Sequence, residues 1–285
     1  MKLPVRTISL LLLASISSAQ NGEPKLEATR DNGEWFLLNK NDIAAGAHHT
    51  RHAEIFGKYV QGYNDYALQA IDKVQATAMD GGGYFIGIKA VPTESPIGYK
   101  LKLFDRPLLE PPRTTSYCSG STYAAFIEQL NLIFSKKEGK KLSDERYEAI
   151  RMQEENGGRR EDTIKFWGKW NDDGFGSHYA LVQYAKMGEE IKPPQARPGD
   201  FINISWVKGG GHSVVFLGWY QDENGQKNIV YWASQTRTNG FGDEVIPLER
   251  IKEIKAVRLV HPENLFKFEV NAPVQRDIPG DKIAW

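Results

Sequence analysis

The sequence predicts an α+β fold, a cysteine-led helix packed on a small antiparallel sheet with a helical insertion between them. Three observations predict it. After Cys118, apolar residues recur at Tyr123, Phe126, Ile127, Leu130, Ile133 and Phe134, the three-and-four spacing of a helix with one buried face. From Pro198 onward short apolar runs alternate with glycine-rich turns, the pattern of antiparallel strands. Between them, residues 135–195 are polar and charged, with only short helical stretches. The chain has 285 residues, 40% hydrophobic and 25% charged, an ordinary globular balance with ample core.

In chain order, Lys2 and Arg6 precede an apolar run, Ile8 to Ile16, too short to span a bilayer. Small residues at Ser17 and Ala19 complete the pattern of a secretory signal over residues 1–19. Its removal leaves 34 basic against 36 acidic side chains, a net charge of −2. That balance offers no electrostatic case for nucleic acid or an anionic membrane. An N-terminal extension, 20–52, follows, with one apolar run at Trp35 to Leu38. The cluster His48-His49-Thr50-Arg51-His52 puts His48 and His52 on one helix face, but no carboxylate nearby in sequence completes a metal set.

The main domain is predicted over 53–262. A helix over Ala53 to Met79, interrupted near Gly62, ends at Gly81-Gly82-Gly83. Tyr84 to Ile88 and Tyr99 to Phe104 read as strands. Pro107, Pro111 and Pro112 stiffen the approach to the cysteine helix, with Thr114, Thr115 and Ser116 as N-cap candidates. In the insertion, Ile164, Phe166, Trp167 and Trp170 suggest one short helix. Ser177 to Met187 suggests another, capped by Ser177. Trp167 and Trp170 suit core packing better than a cleft wall. Strands are expected at Phe201 to Val207, Ser213 to Trp219, Asn228 to Ser234 and Ala256 to Val260, with a short helix at Leu248 to Ile254. A tail, 263–285, closes the chain.

Cys118 is the only cysteine. In an exported chain it has no internal disulfide partner, so it is an intermolecular link, an inert buried thiol or a reactive one. A position in the first helical turn favours the thiolate, the attacking form of cysteine. Such a thiol needs a base. His212 begins an apolar strand after three glycines, a better setting than His178 in a helix or His261 beyond the last strand. The orienting group belongs on the paired strand. With Asn224-Gly225 as a two-residue turn, facing residues have numbers summing to 449, which sets Arg237 opposite His212 and Gln235 beside it on the same face. A neutral amide can accept one imidazole proton and leave the other nitrogen toward sulfur. Gln235 is preferred, with Ser234, Trp232 and Asn239 as other positions within reach.

These residues resemble the NlpC/P60 cell-wall cysteine peptidases. Tyr117-Cys118-Ser119-Gly120 is similar to that family's Asp-Cys-Ser-Gly motif opening a helix. Arg197-Pro198-Gly199-Asp200-Phe201 resembles its Pro-Gly-Asp lead into a strand. Gly211-His212 through Phe216-Leu217-Gly218 resembles its histidine strand. The likeness implies a papain-like fold, Cys118 as nucleophile, His212 as base, and hydrolysis of amide bonds in peptidoglycan peptides through a thioester. It implies no metal and no organic cofactor. This chain departs from the pattern at Tyr117, usually aspartate, and at Trp232, which stands where the family often has a third histidine. The third role therefore passes to a neighbour or is absent. A CHAP-type amidase, an acyl transferase and a non-catalytic wall-binding protein are the other readings, with a secreted or periplasmic location common to all.

Overall fold

The structure is a computed structural model describing residues 35–60, 62–135, 142–154, 157–159, 166–167 and 175–285. The signal segment, Lys136 to Lys141, Ile164 and Trp170 lie outside them.

In chain order the elements are β1 (Leu37–Leu38), α1 (His52–Phe56), α2 (Asn64–Gln75), β2 (Leu101–Leu103), β3 (Arg106–Leu109), α3 (Cys118–Phe134), α4 (Asp144–Ile150) and α5 (Gly176–His178). Then come β4 (Gly188–Ile191), β5 (Phe201–Trp206), β6 (Gly211–Gln221), β7 (Lys227–Gln235), β8 (Gly240–Pro247) and β9 (Ile251–Leu259). The sheet runs β4-β9-β5-β6-β7-β8 with antiparallel neighbours, and β1 joins β6 in parallel. The mixture of helix and antiparallel sheet is as predicted, but seven strands make a larger sheet than expected. β4 enlarges it, because Gly188 to Ile191 pairs with β9 although the sequence assigns it to the helical insertion.

The two sheet faces carry separate cores. Val215, Leu217, Trp232 and Val257 pack with Leu68, Ile71, Phe126 and Leu130 of α2 and α3. Val214, Phe216, Ile229, Tyr231 and Ile254 form the other core, closed by Trp35, Ile283 and Trp285. The expected tail is thus packed onto the body: Trp285 stacks on Trp35 with centroids 5.8 Å apart.

Several predicted elements differ. The long first helix divides into α1 and α2 around a short 3-10 turn, Gly57–Tyr59. Tyr84 to Ile88 forms no strand, only a bridge from Tyr84 to Ser116. Leu248–Arg250 is a single 3-10 turn leading into β9, because residues between 251 and 257 pair with β5 and override helical propensity. Ser177 does not cap its helix: its N–H and hydroxyl both donate to Asn203 Oδ1. Trp167 is not helical. It has a positive φ of 57° and lies fully buried against Phe126 and Phe201, the core role expected of it.

The Pro-Gly-Asp turn has a structural task. Asp200 is fully buried and accepts from Arg258 Nε and Nη2 (2.8 and 2.7 Å), Asn64 Nδ2 (2.8 Å) and the Arg197 N–H (2.8 Å). A buried carboxylate needs such saturation. It ties α2 and β9 to the start of β5.

Candidate active site

α3 begins at Cys118. Its N-cap is Tyr117, in extended conformation and without a side-chain cap, so none of Thr114, Thr115 or Ser116 has the expected role. Ser116 instead donates its hydroxyl hydrogen to Ser234 Oγ (2.7 Å). The chain enters the helix under a tight constraint, because the Tyr117 N–H donates to Pro96 O (2.8 Å). A Cβ on Gly120 would stand 2.0 Å from that same oxygen, so glycine is required where the 95–97 loop lies on the first turn. The helix is also more deeply buried than its stripe suggested, on all sides from Cys118 to Leu130.

A lattice of hydroxyls fixes this first turn to the strands that carry the other candidates. The Ser234 N–H donates to Ser121 Oγ (3.0 Å), and Thr122 Oγ1 shares a hydrogen bond with Ser213 Oγ (2.8 Å). Ser121 and Thr122 both donate to the Cys118 carbonyl, at 2.8 and 3.2 Å. Trp167 Nε1 donates to Thr122 Oγ1 from behind (3.1 Å). Ser213 adjoins His212 and Ser234 adjoins Gln235, so these bonds bring the cysteine turn to both strands. The serine- and threonine-rich run Ser119 to Thr122 is the signal that could have revealed the lattice.

The strand register needs correction. Facing numbers sum to 448 from Gln221–Lys227 to Gly218–Val230, then to 447 at Phe216–Tyr231 and Val215–Trp232, across a bulge. The turn is longer than two residues: Asp222 Oδ1 accepts from the N–H groups of Asn224 and Gln226 (2.9 and 2.8 Å). Continued to the strand ends, the observed register sets Gln235 across from His212, not Arg237. Arg237 is on the surface, paired with Glu244. Asn239 has a positive φ of 50° and gives its carbonyl to the Gly83 N–H (2.7 Å). Trp232 is core, donating Nε1–H to Gln75 Oε1 (2.9 Å).

The β6–β7 ladder stops at Val215–Trp232, short of His212. Alternation puts Ser213 and Ser234 on the helix face, and His212 and Gln235 on the other face. Beyond the last paired residues of the ladder, Ser121 of the first turn of α3 takes the Ser234 N–H. Tyr231, on the His212 face, has its ring centroid 5.4 Å from the His212 ring. Cys118 is among the groups that raise the Tyr231 pKa, behind burial and Glu244. Cys118 is 1% exposed and His212 9%.

Burial lowers the His212 pKa to about 4, and Gln235 opposes that shift as a hydrogen-bonding neighbour. The amide nitrogen of Gln235 is committed to Thr238 Oγ1 (2.8 Å) and Gly242 O (3.0 Å), leaving Oε1 to accept. The contact is loose: neither His212 Nε2 nor Gln235 Oε1 has a hydrogen bond of full geometry, and Ser119 Oγ is also buried without one. Unpaired buried polar atoms cost about 1–3 kcal/mol each, so these three mark positions not optimised for stability.

The histidine cluster near residue 50 has a carboxylate after all, contributed by β8. His49 Nε2 and His52 Nε2 lie 3.0 and 2.9 Å from the two oxygens of Asp243, and His52 Nδ1 lies 2.6 Å from Asp72 Oδ1. The ligand atoms of His49, His52 and Asp243 all lie within 4.8 Å of one another, a spacing that a metal could bridge. The same spacing suits shared protons. His49 Nδ1 accepts the Arg51 N–H (3.1 Å), so its Nε2 carries the hydrogen that Asp243 receives. His52, despite burial, has its pKa raised to about 9 by Asp243 and Asp72. His48 is not in the set, contrary to the expected His48–His52 face.

His178 Nε2 faces Glu190 Oε2 at 3.1 Å, and His261 is exposed beside Glu189 and Glu263. No family model, curated protein or solved structure matches the chain.

Proposed function

We propose that the protein is an exported cysteine hydrolase of papain-like, NlpC/P60-type architecture, acting on amide bonds of peptidoglycan peptides. The observation that carries this reading is the hydroxyl lattice, which ties the Cys118 turn to Ser213 and Ser234, the chain neighbours of His212 and Gln235. In this reading Gln235 Oε1 accepts the hydrogen of His212 Nε2, and Nδ1 keeps its lone pair for the thiol. A base with a pKa near 4 is neutral at neutral pH. The resting pair is therefore thiol and imidazole, and the proton moves to His212 as sulfur attacks the carbonyl carbon. The tetrahedral oxyanion takes hydrogen bonds from the Cys118 N–H and one further donor. The leaving amine receives the proton from His212, and water then hydrolyses the thioester.

Digestion of purified peptidoglycan by the wild type and Cys118→Ala, with mass analysis of the products, tests the assignment. The expected result is new amine and carboxyl ends from the wild type only. Identical products from both proteins would overturn it. One observation favours a second reading, a non-catalytic wall-binding protein: sulfur and imidazole are both nearly inaccessible. That reading expects both proteins to sediment equally with intact sacculi and to release nothing.

A further inference from the structure

On the His212 face, side chains lead from the imidazole to the surface. Trp206 and Tyr231 flank the ring with centroids 6.0 and 5.4 Å away. The Tyr231 hydroxyl donates to Glu244 Oε2 (3.2 Å), and Glu244 Oε1 pairs with Arg237 Nε (3.3 Å). The Arg250 guanidinium lies 5.7 Å over the Trp206 ring. Arg237 is 73% exposed and Arg250 is exposed, whereas Glu244 is buried. Arg237 pairs with this carboxylate, and Arg250 acts on it through space. Burial raises the Glu244 pKa, against the opposing pull of the Tyr231 hydrogen bond and both arginines. Two guanidiniums against one carboxylate leave the cluster net positive. Cys118, Glu244 and Arg250 all act electrostatically on the Tyr231 hydroxyl.

We propose that Arg237 and Arg250 form a subsite selecting substrates with a free carboxylate beside the bond attacked by Cys118, an inference that rests on the catalytic reading above. The guanidinium is suited to this, being always charged and presenting a planar fork of donors that matches a carboxylate. Glu244 occupies part of Arg237 and leaves its outer edge to a ligand. Trp206 gives Arg250 an aromatic face on which to lie flat.

Paired alkylating probes, iodoacetate and iodoacetamide, differ mainly in the carboxylate. The full chain and the variant Arg237→Ala/Arg250→Ala are treated with each at pH 7, and modification of Cys118 is followed by peptide mass. The readout is the ratio of the two rates, which cancels changes common to both reagents. The expected ratio in the wild type exceeds that of free cysteine by roughly three- to tenfold, and falls toward it in the double variant and in high salt. An equal ratio in wild type and variant, with His212-dependent labelling intact, would overturn the subsite and leave the catalytic reading standing. A Cys118 that takes neither reagent in the native protein would overturn both.

Discussion

Two buried histidines of this chain are electrostatically opposite. His52 lies between the carboxylates of Asp72 and Asp243, which raise its pKa to about 9. His212 lies among Trp206, Tyr231 and one amide, and burial lowers its pKa to about 4. Depth alone does not decide whether an imidazole is charged; its partners do. At neutral pH His52 is an imidazolium spent on structure. Asp72 also takes the His52 and Ala53 N–H groups at the start of α1, and Asp243 ties the same ring to β8. His212 is neutral at the same pH and keeps a lone pair, which the proposed role as a base requires.

The comparison can be broken most strongly at His212. His212→Ala is expected to lower turnover of peptidoglycan peptides by about 10²–10⁴-fold, the usual worth of a general base, with a small change in melting temperature. Equal activity in the variant would remove the catalytic half of the contrast. His52→Gln should do the reverse. It leaves two carboxylates without their cation, and a cost of about 3–5 kcal/mol is expected in denaturant unfolding, with activity per folded molecule retained. A midpoint unchanged from the wild type would show that the clamp contributes nothing.

The same contrast fixes how stability depends on pH. His52 binds its proton more tightly folded than unfolded, so its contribution is complete below about pH 6.5 and disappears as pH rises through about 9. His212 binds its proton less tightly folded, so stability is lost as pH falls from about 6.5 through about 4. Each arm is worth about 3 kcal/mol at most. Unfolding curves across pH should show the alkaline arm flatten in His52→Gln and the acid arm flatten in His212→Ala. The gentlest change is Gln235→Glu. It gives His212 a carboxylate like that of His52, and the acid limb of activity should move upward by about one pH unit or more. An unmoved limb would separate Gln235 from His212.

Much of this was legible in the sequence because it is local. The α3 periodicity, the apolar strands 201–206, 211–221 and 227–235, and the glycine before His212 each depend on near neighbours. What was not legible depends on pairing across the chain. The five-residue turn at Asp222 and the bulge near Leu217 together shift the register by two, which exchanges Arg237 for Gln235 opposite His212. Asp243 reaches His52 from 191 residues away, so a search for nearby ligands could not find it. β9 looked helical because Leu248 to Ile254 carries helix-forming residues, and its strand character appears only against β5.

The most direct test is the pH dependence of Cys118 alkylation by iodoacetamide in the wild type and in His212→Ala. A neutral imidazole serving the thiol should sustain labelling below pH 6 in the wild type, and the variant should lose it. Superimposable curves, both rising only near the ordinary thiol pKa of about 8.5, would contradict the pairing of this sulfur with this ring.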